Sequence, residues 1–267
     1  MVTWQPHPTS PPQSTEASFL AAIAAGEYDA LLSRWAERLA RWVAEGNGSR
    51  RFYFRPFPEM NGNWAPYSVD GTTGTSSEFV AAWRHVYSYV MNNSPLTAAD
   101  VQWVWNPIAR DFGPTPAEAY FPGADVIDWV GIDGYNWGDV GAHGWRPPTD
   151  VFRPMVERCR ALTDVPLCIP EFGSSSQIAG RFDPARKTGW LHSAFDLFAD
   201  LNVQFACYFD IDKETDWAVF DTPTAPTVIN ERGTRVYPAY KVELTTARVG
   251  GQPTEHTEAV FRGMITP

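Results

Sequence analysis

Extended apolar runs alternate with amphipathic helical patterns along this chain, and this alternation limits the possible folds more than any other feature. The runs that predict strands are residues 2–5, 51–57, 100–105, 128–133, 166–169 and 203–209. The helical patterns are residues 28–45, 78–90, 151–162 and 185–201. Strands separated by helices are typical of βα units around a parallel sheet. The pattern therefore predicts an α/β fold.

The number of strands is informative because a closed (β/α)8 barrel contains eight. Only six runs are convincing strands, and the first begins at residue 2 with no helix before it. We therefore expect the chain to begin inside a barrel of this kind. Residues 1–244 are predicted to form one catalytic domain. Residues 245–267 are polar and include a Gly-Gly-Gln-Pro sequence, which predicts a tail or linker.

Segment 28–45 shows the helical pattern clearly. Leu32, Trp35 and Leu39 recur at the spacing of one helix face, and charged residues occupy the opposite face. Asp29 stands near the start of the segment, where a short polar side chain can accept hydrogen bonds from the first turn. The segment therefore predicts an amphipathic helix with Asp29 as its cap.

The net charge of −10 argues against polyanionic partners, because an acidic protein is repelled by nucleic acid and by anionic membranes. No run approaches the roughly 18 apolar residues of a membrane span, and residues 1–14 do not have the pattern of a signal peptide. The five histidines lack zinc-ligand spacing. We expect a globular monomer with no metal or other cofactor, which binds neither nucleic acid nor membrane.

Two glutamates follow strand-like runs and precede turns that contain glycine. Glu59 lies in residues 55–64, RPFPEMNGNW, and Glu171 lies in residues 165–173, VPLCIPEFG. Parallel α/β enzymes place their chemistry at the carboxyl ends of strands, so both carboxylates are expected there. A pair of carboxylates is what hydrolysis of a glycosidic bond requires.

Aromatic and polar residues near these glutamates are candidates for sugar binding. An indole face can stack on a sugar ring, and the tryptophans in loop-like segments are Trp64, Trp137 and Trp217. Asn61 lies just beyond Glu59, and we expect it to contact substrate in preference to packing within its loop. Arg55 ends an apolar run and is expected either to orient a carboxylate or to form a structural ion pair.

The residues around Glu59 are similar, nearly letter for letter, to the acid/base motif of glycoside hydrolase family 26. The resemblance continues in the family's order through WRHV at 83–86, VQWVWNP at 101–107, YFPG at 120–123, DWVGIDGYNW at 128–137, EFG at 171–173 and YFDIDKETDW at 208–217. It therefore covers most of residues 2–240.

This resemblance implies a (β/α)8 TIM barrel and hydrolysis with net retention of configuration. By motif, Glu59 resembles the general acid/base on the fourth strand, and Glu171 resembles the nucleophile on the seventh. Tyr135 resembles the tyrosine that hydrogen-bonds the nucleophile. Residues 2–4 would then be the third strand, and the family's first two strands would have no counterpart in this chain. Retaining enzymes hold their two carboxyl groups about 5 to 5.5 Å apart.

The family acts on β-linked polysaccharides, and the resemblance makes β-1,4-mannan the first expected substrate. Mixed-linkage β-1,3-1,4-glucan and β-1,3-xylan are the alternatives within the family. We expect endo action by double displacement, in which Glu171 attacks the anomeric carbon while Glu59 protonates the leaving sugar and later deprotonates water. The expected location is extracellular, with the signal peptide absent from this chain.

One position departs from the family's pattern. Pro58 replaces the histidine that usually precedes the acid/base, and proline has neither a backbone N–H nor a polar side chain. This replacement and the missing strands favour a competing hypothesis, a catalytically impaired relative that binds polysaccharide. One acidic run has two interpretations, a calcium site with oxygen ligands or a solvated loop, and the solvated loop is preferred. The run contains Asp210, Asp212, Glu214 and Asp216.

Overall fold

The computed structural model describes residues 1–8, 18–230 and 232–245. The chain divides into two compact units, Met1–Gly131 with Ala161–Val165 and Ile132–Arg160 with Pro166–Pro267. The predicted tail lies, apart from its first residue, outside the described residues. The boundary after residue 244 therefore stays a prediction.

The first unit is built on four parallel strands in the order β1-β2-β3-β4. Its described elements are β1 (Val2–Trp4), α1 (Phe19–Ala24), α2 (Asp29–Ala44), β2 (Phe52–Pro56), α3 (Ser76–Asn93), β3 (Val101–Trp105) and β4 (Trp129–Gly131). Short 3-10 helices span Ala117–Tyr120 and Ala124–Val126. Parallel strands joined by helices confirm the predicted α/β class.

Aromatic packing forms the core of this unit. Every residue of β3 is buried, as expected for a parallel strand covered on both faces. The Phe54 ring of β2 lies 4.9 Å from the Trp103 ring of β3 and 4.3 Å from the Trp35 ring of α2. Burial of such large side chains supplies most of the stabilisation of a sheet of this kind.

The predicted helix at 28–45 is α2, but the prediction that Asp29 caps it is wrong. Tyr28 occupies the N-cap position, and its side chain makes no capping hydrogen bond. Asp29 is already the first helical residue, and its carboxylate lies 2.7 Å from the Nε2 atom of His85 on α3. The side chain thus links two helices.

The second unit contains the parallel strands β5, β6 and β9, in which β6 pairs with both others. Its described elements are β5 (Gly134–Asn136), α4 (Pro148–Arg160), β6 (Leu167–Ser174), β7 (Gln177–Ile178), β8 (Arg181–Phe182), α5 (Pro184–Asp200), β9 (Val203–Tyr208), β10 (Val228–Ile229), β11 (Arg235–Val236) and α6 (Pro238–Thr245), with a 3-10 helix at Val140–Ala142. The pairs β7–β8 and β10–β11 are antiparallel.

The strand predicted at 128–133 is present but shorter than expected, because β4 spans only Trp129–Gly131 and the next strand, β5, begins at Gly134. Trp129 of β4 pairs with Val104 of β3, whereas Gly134 of β5 pairs with Phe172 of β6. The predicted run therefore contains β4 and stops before β5. Among the described helices, none combines the length and apolar character needed to cross a lipid bilayer.

Candidate active site

Glu59 lies in the loop that follows β2, and backbone hydrogen bonds tie this loop to the ends of both neighbouring strands. The N–H of Phe57 donates to the carbonyl of Trp4, the last residue of β1, at 2.9 Å. The N–H of Glu59 donates to the carbonyl of Asn106, which follows β3, at 2.7 Å. The side chain of Glu59 is half-buried. The loop therefore places this carboxylate at the carboxyl edge of the first unit's sheet.

The backbone of this loop is in an unusual conformation. Phe57 has φ +49° and Glu59 has φ +57°, in the left-handed region that residues other than glycine seldom adopt. Pro58 lies between them, is buried, and accepts a hydrogen bond on its carbonyl from the Tyr67 hydroxyl at 2.9 Å. Pro58 thus helps to fix the loop through its carbonyl, although it offers no donor to a carboxylate.

Asn61 does not present its amide to a substrate, which corrects the expectation of substrate contact. The residue is 0% exposed. Its Nδ2 donates to the carbonyl of Ile108 at 3.0 Å and to Oδ1 of Asp111 at 2.9 Å, and its Oδ1 accepts from the N–H of Ile108 at 2.9 Å. The amide thus holds the loop after β3 against the Glu59 loop.

Arg55 is buried, with 4% of its surface exposed, beneath the Glu59 loop. Its guanidinium donates to Oδ1 of Asn106 at 2.9 Å and to Oγ1 of Thr3 at 3.1 Å. These bonds connect β2 with the middle of β1 and with the residue that follows β3. Its predicted role in orienting a carboxylate stays a prediction.

Trp64 is 49% exposed and lies beside two residues that the sequence interpretation did not select. Its ring meets the Phe112 ring edge-on at 4.9 Å, and the Arg110 guanidinium lies 4.4 Å from the centre of the Phe112 ring. In the sequence, these two residues are recognisable only as an arginine and an aromatic residue in a Gly- and Pro-containing loop that follows a strand. Trp64 thus has the exposure that stacking on a sugar requires.

Glu171 lies inside β6, so the prediction that it follows the end of a strand is wrong. Strand β6 continues to Ser174 because it pairs with β5, with Tyr135 opposite Gly173. Side chains alternate along a strand, so Glu171 shares a face with Gly173 and thus with Tyr135. The Tyr135 hydroxyl donates to Oε2 of Glu171 at 2.6 Å.

Gly173 makes this arrangement possible. A Cβ atom at Gly173 would lie 3.2 Å from Cε3 of Trp217 and 3.3 Å from Cδ1 of Tyr135, which is tighter than ordinary contact. The glycine predicted to form a turn therefore lies in a strand and leaves room for two aromatic rings beside Glu171.

Trp217 is 1% exposed, which corrects the prediction that it is a stacking platform. Its ring lies 5.2 Å from the Tyr135 ring and 4.9 Å from the Trp137 ring, and its Nε1 donates to Oε2 of Glu214 at 3.1 Å. Trp137 is half-buried and keeps part of its surface accessible. Trp217 is therefore a buried residue that packs against the rings of Tyr135 and Trp137.

The acidic residues after β9 act as acceptors for their own loop. Oδ1 of Asp210 accepts from the N–H of Val219 at 2.7 Å, and Oδ1 of Asp212 accepts from the N–H of Ala218 at 3.0 Å. These bonds organise the loop that carries Trp217, which favours the loop interpretation over a calcium site.

The model of the family described as glycosyl hydrolase family 26 matches residues 4–168. A protein of Acetivibrio thermocellus named endoglucanase H is 28% identical over 232 residues, which are 84% of this chain and 23% of that protein. The mannan endo-1,4-beta-mannosidase A and B of Caldalkalibacillus mannanilyticus is 29% identical over 160 residues, which are 56% of this chain and 28% of that protein. The chain thus spans about a quarter of the length of these relatives.

Solved structures show the same fold. A modular endo-beta-1,4-mannanase from Cellulomonas fimi matches with a TM-score of 0.56 at 17% identity, over 85% of this chain and 49% of that chain. A Bacillus subtilis mannanase matches with a TM-score of 0.51 at 21% identity, over 74% of this chain and 53% of that chain. These likenesses confirm the predicted (β/α)8 fold class.

Proposed function

Because the chain belongs to glycosyl hydrolase family 26, we propose that it is a retaining, endo-acting glycoside hydrolase that cleaves β-linked polysaccharide. Glu171 is the nucleophile, which attacks the anomeric carbon and forms a glycosyl-enzyme. Glu59 is the general acid that protonates the departing sugar and then the general base that deprotonates the incoming water.

The observation that carries this proposal is the hydrogen bond of 2.6 Å from Tyr135 to Glu171. A nucleophilic carboxylate has to approach one carbon atom from a fixed direction, and this bond restricts its rotation. Glu59 is restricted differently, since its own backbone N–H is bonded to Asn106. Exposed Trp64 and half-buried Trp137 are proposed to bind sugar rings by stacking.

We propose β-1,4-mannan as the first substrate, since relatives of this chain are named mannan endo-1,4-beta-mannosidases. A β-glucan is the second candidate, because the relative named endoglucanase H aligns over a larger share of the chain, 84% against 56%. β-1,3-Xylan is the remaining substrate to test. The enzyme is proposed to act outside the cell as a monomer, and two carboxylates perform this chemistry without a cofactor.

The test is reducing-sugar release from mannan, mixed-linkage β-glucan and β-1,3-xylan by the whole chain. We expect Glu59→Gln and Glu171→Gln each to lower kcat by at least about a thousandfold, since each removes a group that takes part in both chemical steps. Glu157→Gln is the matched control, because this glutamate is exposed on α4. Near-normal turnover by either site variant would refute its assignment.

Azide distinguishes the two roles when an aryl glycoside with a good leaving group is the substrate. With Glu59→Ala, azide attacks the glycosyl-enzyme and gives a glycosyl azide of retained configuration. With Glu171→Ala, azide replaces the missing nucleophile, and the product has inverted configuration. Binding of polysaccharide without hydrolysis by the unmodified chain would instead support the impaired, binding-only relative.

A further inference from the structure

Lys187 is a buried cation that the proposed chemistry does not use. It lies in the first turn of α5 and is 0% exposed. Lysine is seldom fully buried, because its charge loses hydration that protein groups must replace. A positive charge is also disfavoured near the N-terminus of a helix. The Lys187 ammonium therefore needs hydrogen-bond acceptors from the protein at this position.

Three consecutive carbonyl groups provide these acceptors. The ammonium of Lys187 donates to the carbonyl of Asp216, and to those of Trp217 and Ala218 at 2.9 Å each. An ammonium has three N–H donors, so one short backbone segment uses all of them. The Asp216 carboxylate lies 3.8 Å from the nitrogen, and the Tyr237 ring centre lies 4.7 Å from it.

This segment carries the tryptophan that supports the nucleophile's partner. The Trp217 carbonyl also accepts from the Tyr208 hydroxyl at 2.7 Å, so the backbone is held from two sides. The Trp217 ring packs 5.2 Å from the Tyr135 ring, and Tyr135 donates to Glu171. Contacts thus run without a break from the buried ammonium to the nucleophile.

We propose that Lys187 is a positioning residue for Glu171. Its ammonium fixes the Asp216–Ala218 backbone, and the backbone holds the Trp217 ring against Tyr135. Tyr135 is thereby kept in its hydrogen bond with the carboxylate. This inference rests on the proposed function, in which Glu171 is the nucleophile.

Titration of the lysine supports this role. Burial lowers the pKa of Lys187 to about 8, although the charges of Asp216, Asp212 and Asp210 act in the opposite direction. Tyr237, which faces the amine, stays neutral there because burial raises its pKa to about 12. A neutral amine keeps only two N–H donors. One of the three carbonyl groups therefore loses its hydrogen bond above a pH of about 8, where Lys187 is deprotonated.

The experiment compares the unmodified chain with Lys187→Met, Lys187→Gln and the control Lys241→Met, whose lysine is exposed on α6. Hydrogen exchange of the amides at 216–220 is measured by mass spectrometry. The kcat and KM are measured on the polysaccharide from which the chain releases reducing sugar. We expect Lys187→Met to speed exchange in this segment at least about tenfold and to lower kcat about tenfold to a hundredfold, with KM within about twofold. Lys187→Gln retains two donors and should lie between.

Raising the pH from 7 to 9 should speed exchange at 216–220 in the unmodified chain beyond the intrinsic effect of pH, and should have no such effect in Lys187→Met. Unchanged exchange in this segment in both Lys187 variants would overturn the proposal whether or not the chain is active. Faster exchange with unchanged kcat in an active chain would overturn the link to Glu171. If Lys187→Met fails to fold, Lys187→Gln and the pH series on the unmodified chain test the proposal in its place.

Discussion

The left-handed conformations of Phe57 and Glu59 have a cost that the surrounding contacts must offset. Each such residue costs roughly 1 to 3 kcal/mol. The Phe57 ring is buried against the Phe79 ring at 5.6 Å, and the N–H groups of both residues are bonded to neighbouring strand ends. Strained backbone of this kind clusters at active sites, where it fixes a side chain in one direction. Backbone geometry therefore fixes the direction of the Glu59 carboxylate, which we propose as the acid/base.

Tyr135→Phe tests the hydrogen bond that the Tyr135 hydroxyl donates to Glu171. The variant keeps the ring contacts with Trp137 and Trp217 but removes the hydroxyl group. A hydrogen bond to a charged group contributes about 1.5 to 3 kcal/mol, so kcat should fall about tenfold to a hundredfold. Tyr89→Phe is the matched control, because it removes a hydroxyl bonded to Ser33 at 2.8 Å, both residues lying on helices. A Tyr135→Phe variant with unchanged kcat would contradict this role.

The helices and strands show how far the sequence predicts this molecule. The helices α2 to α5 were predicted from their apolar periodicity, and their ends lie within a few residues of those expected. The short helices α1 and α6 were missed, because six to eight residues contain too few turns for a periodic signal. Strand β6 was expected to end at residue 169, with a glycine-containing turn after Glu171, yet pairing with β5 extends it to Ser174.

The sequence likewise predicts some features of the candidate site and not others. Their positions after strand-like runs selected Glu59 and Glu171 as candidates, whereas the motif resemblance assigned their expected roles and selected Tyr135. The roles of Asn61 and Trp217 depend on which loops meet them, and no local pattern specifies that contact. Their burial therefore became visible only in the structure.

Loop anchoring by Asn61 gives a prediction about stability. Asn61→Ala removes hydrogen bonds to the loop after β3 and leaves buried groups without them, so the free energy of unfolding should fall by at least about 2 kcal/mol. Urea unfolding measures this change, and Asn63→Ala is the control because its side chain is exposed. If Asn61→Ala raised only KM and left stability unaltered, the residue would be a substrate contact after all.

Three buried tyrosines predict that the folded protein loses stability at alkaline pH. Burial raises the pKa of Tyr120, Tyr237 and Tyr240 to about 12 each, from 10.0. Between pH 10 and 12 the unfolded chain releases these protons while the folded chain retains them, so stability falls as the pH rises. Urea unfolding from pH 9 to 11.5 should show this decline above pH 10. Tyr237→Phe should reduce the slope, and an unchanged slope would contradict the assignment.

The most direct test of the proposed mechanism is to trap the glycosyl-enzyme. A β-mannosyl oligosaccharide with fluorine at C2 and a fluoride leaving group slows the second step more than the first, so the covalent intermediate accumulates. After digestion, mass spectrometry should find the added sugar on Glu171, and Glu171→Gln should remain unlabelled. A chain that hydrolyses mannan yet carries no sugar, or carries it on another residue, would contradict nucleophilic attack by Glu171.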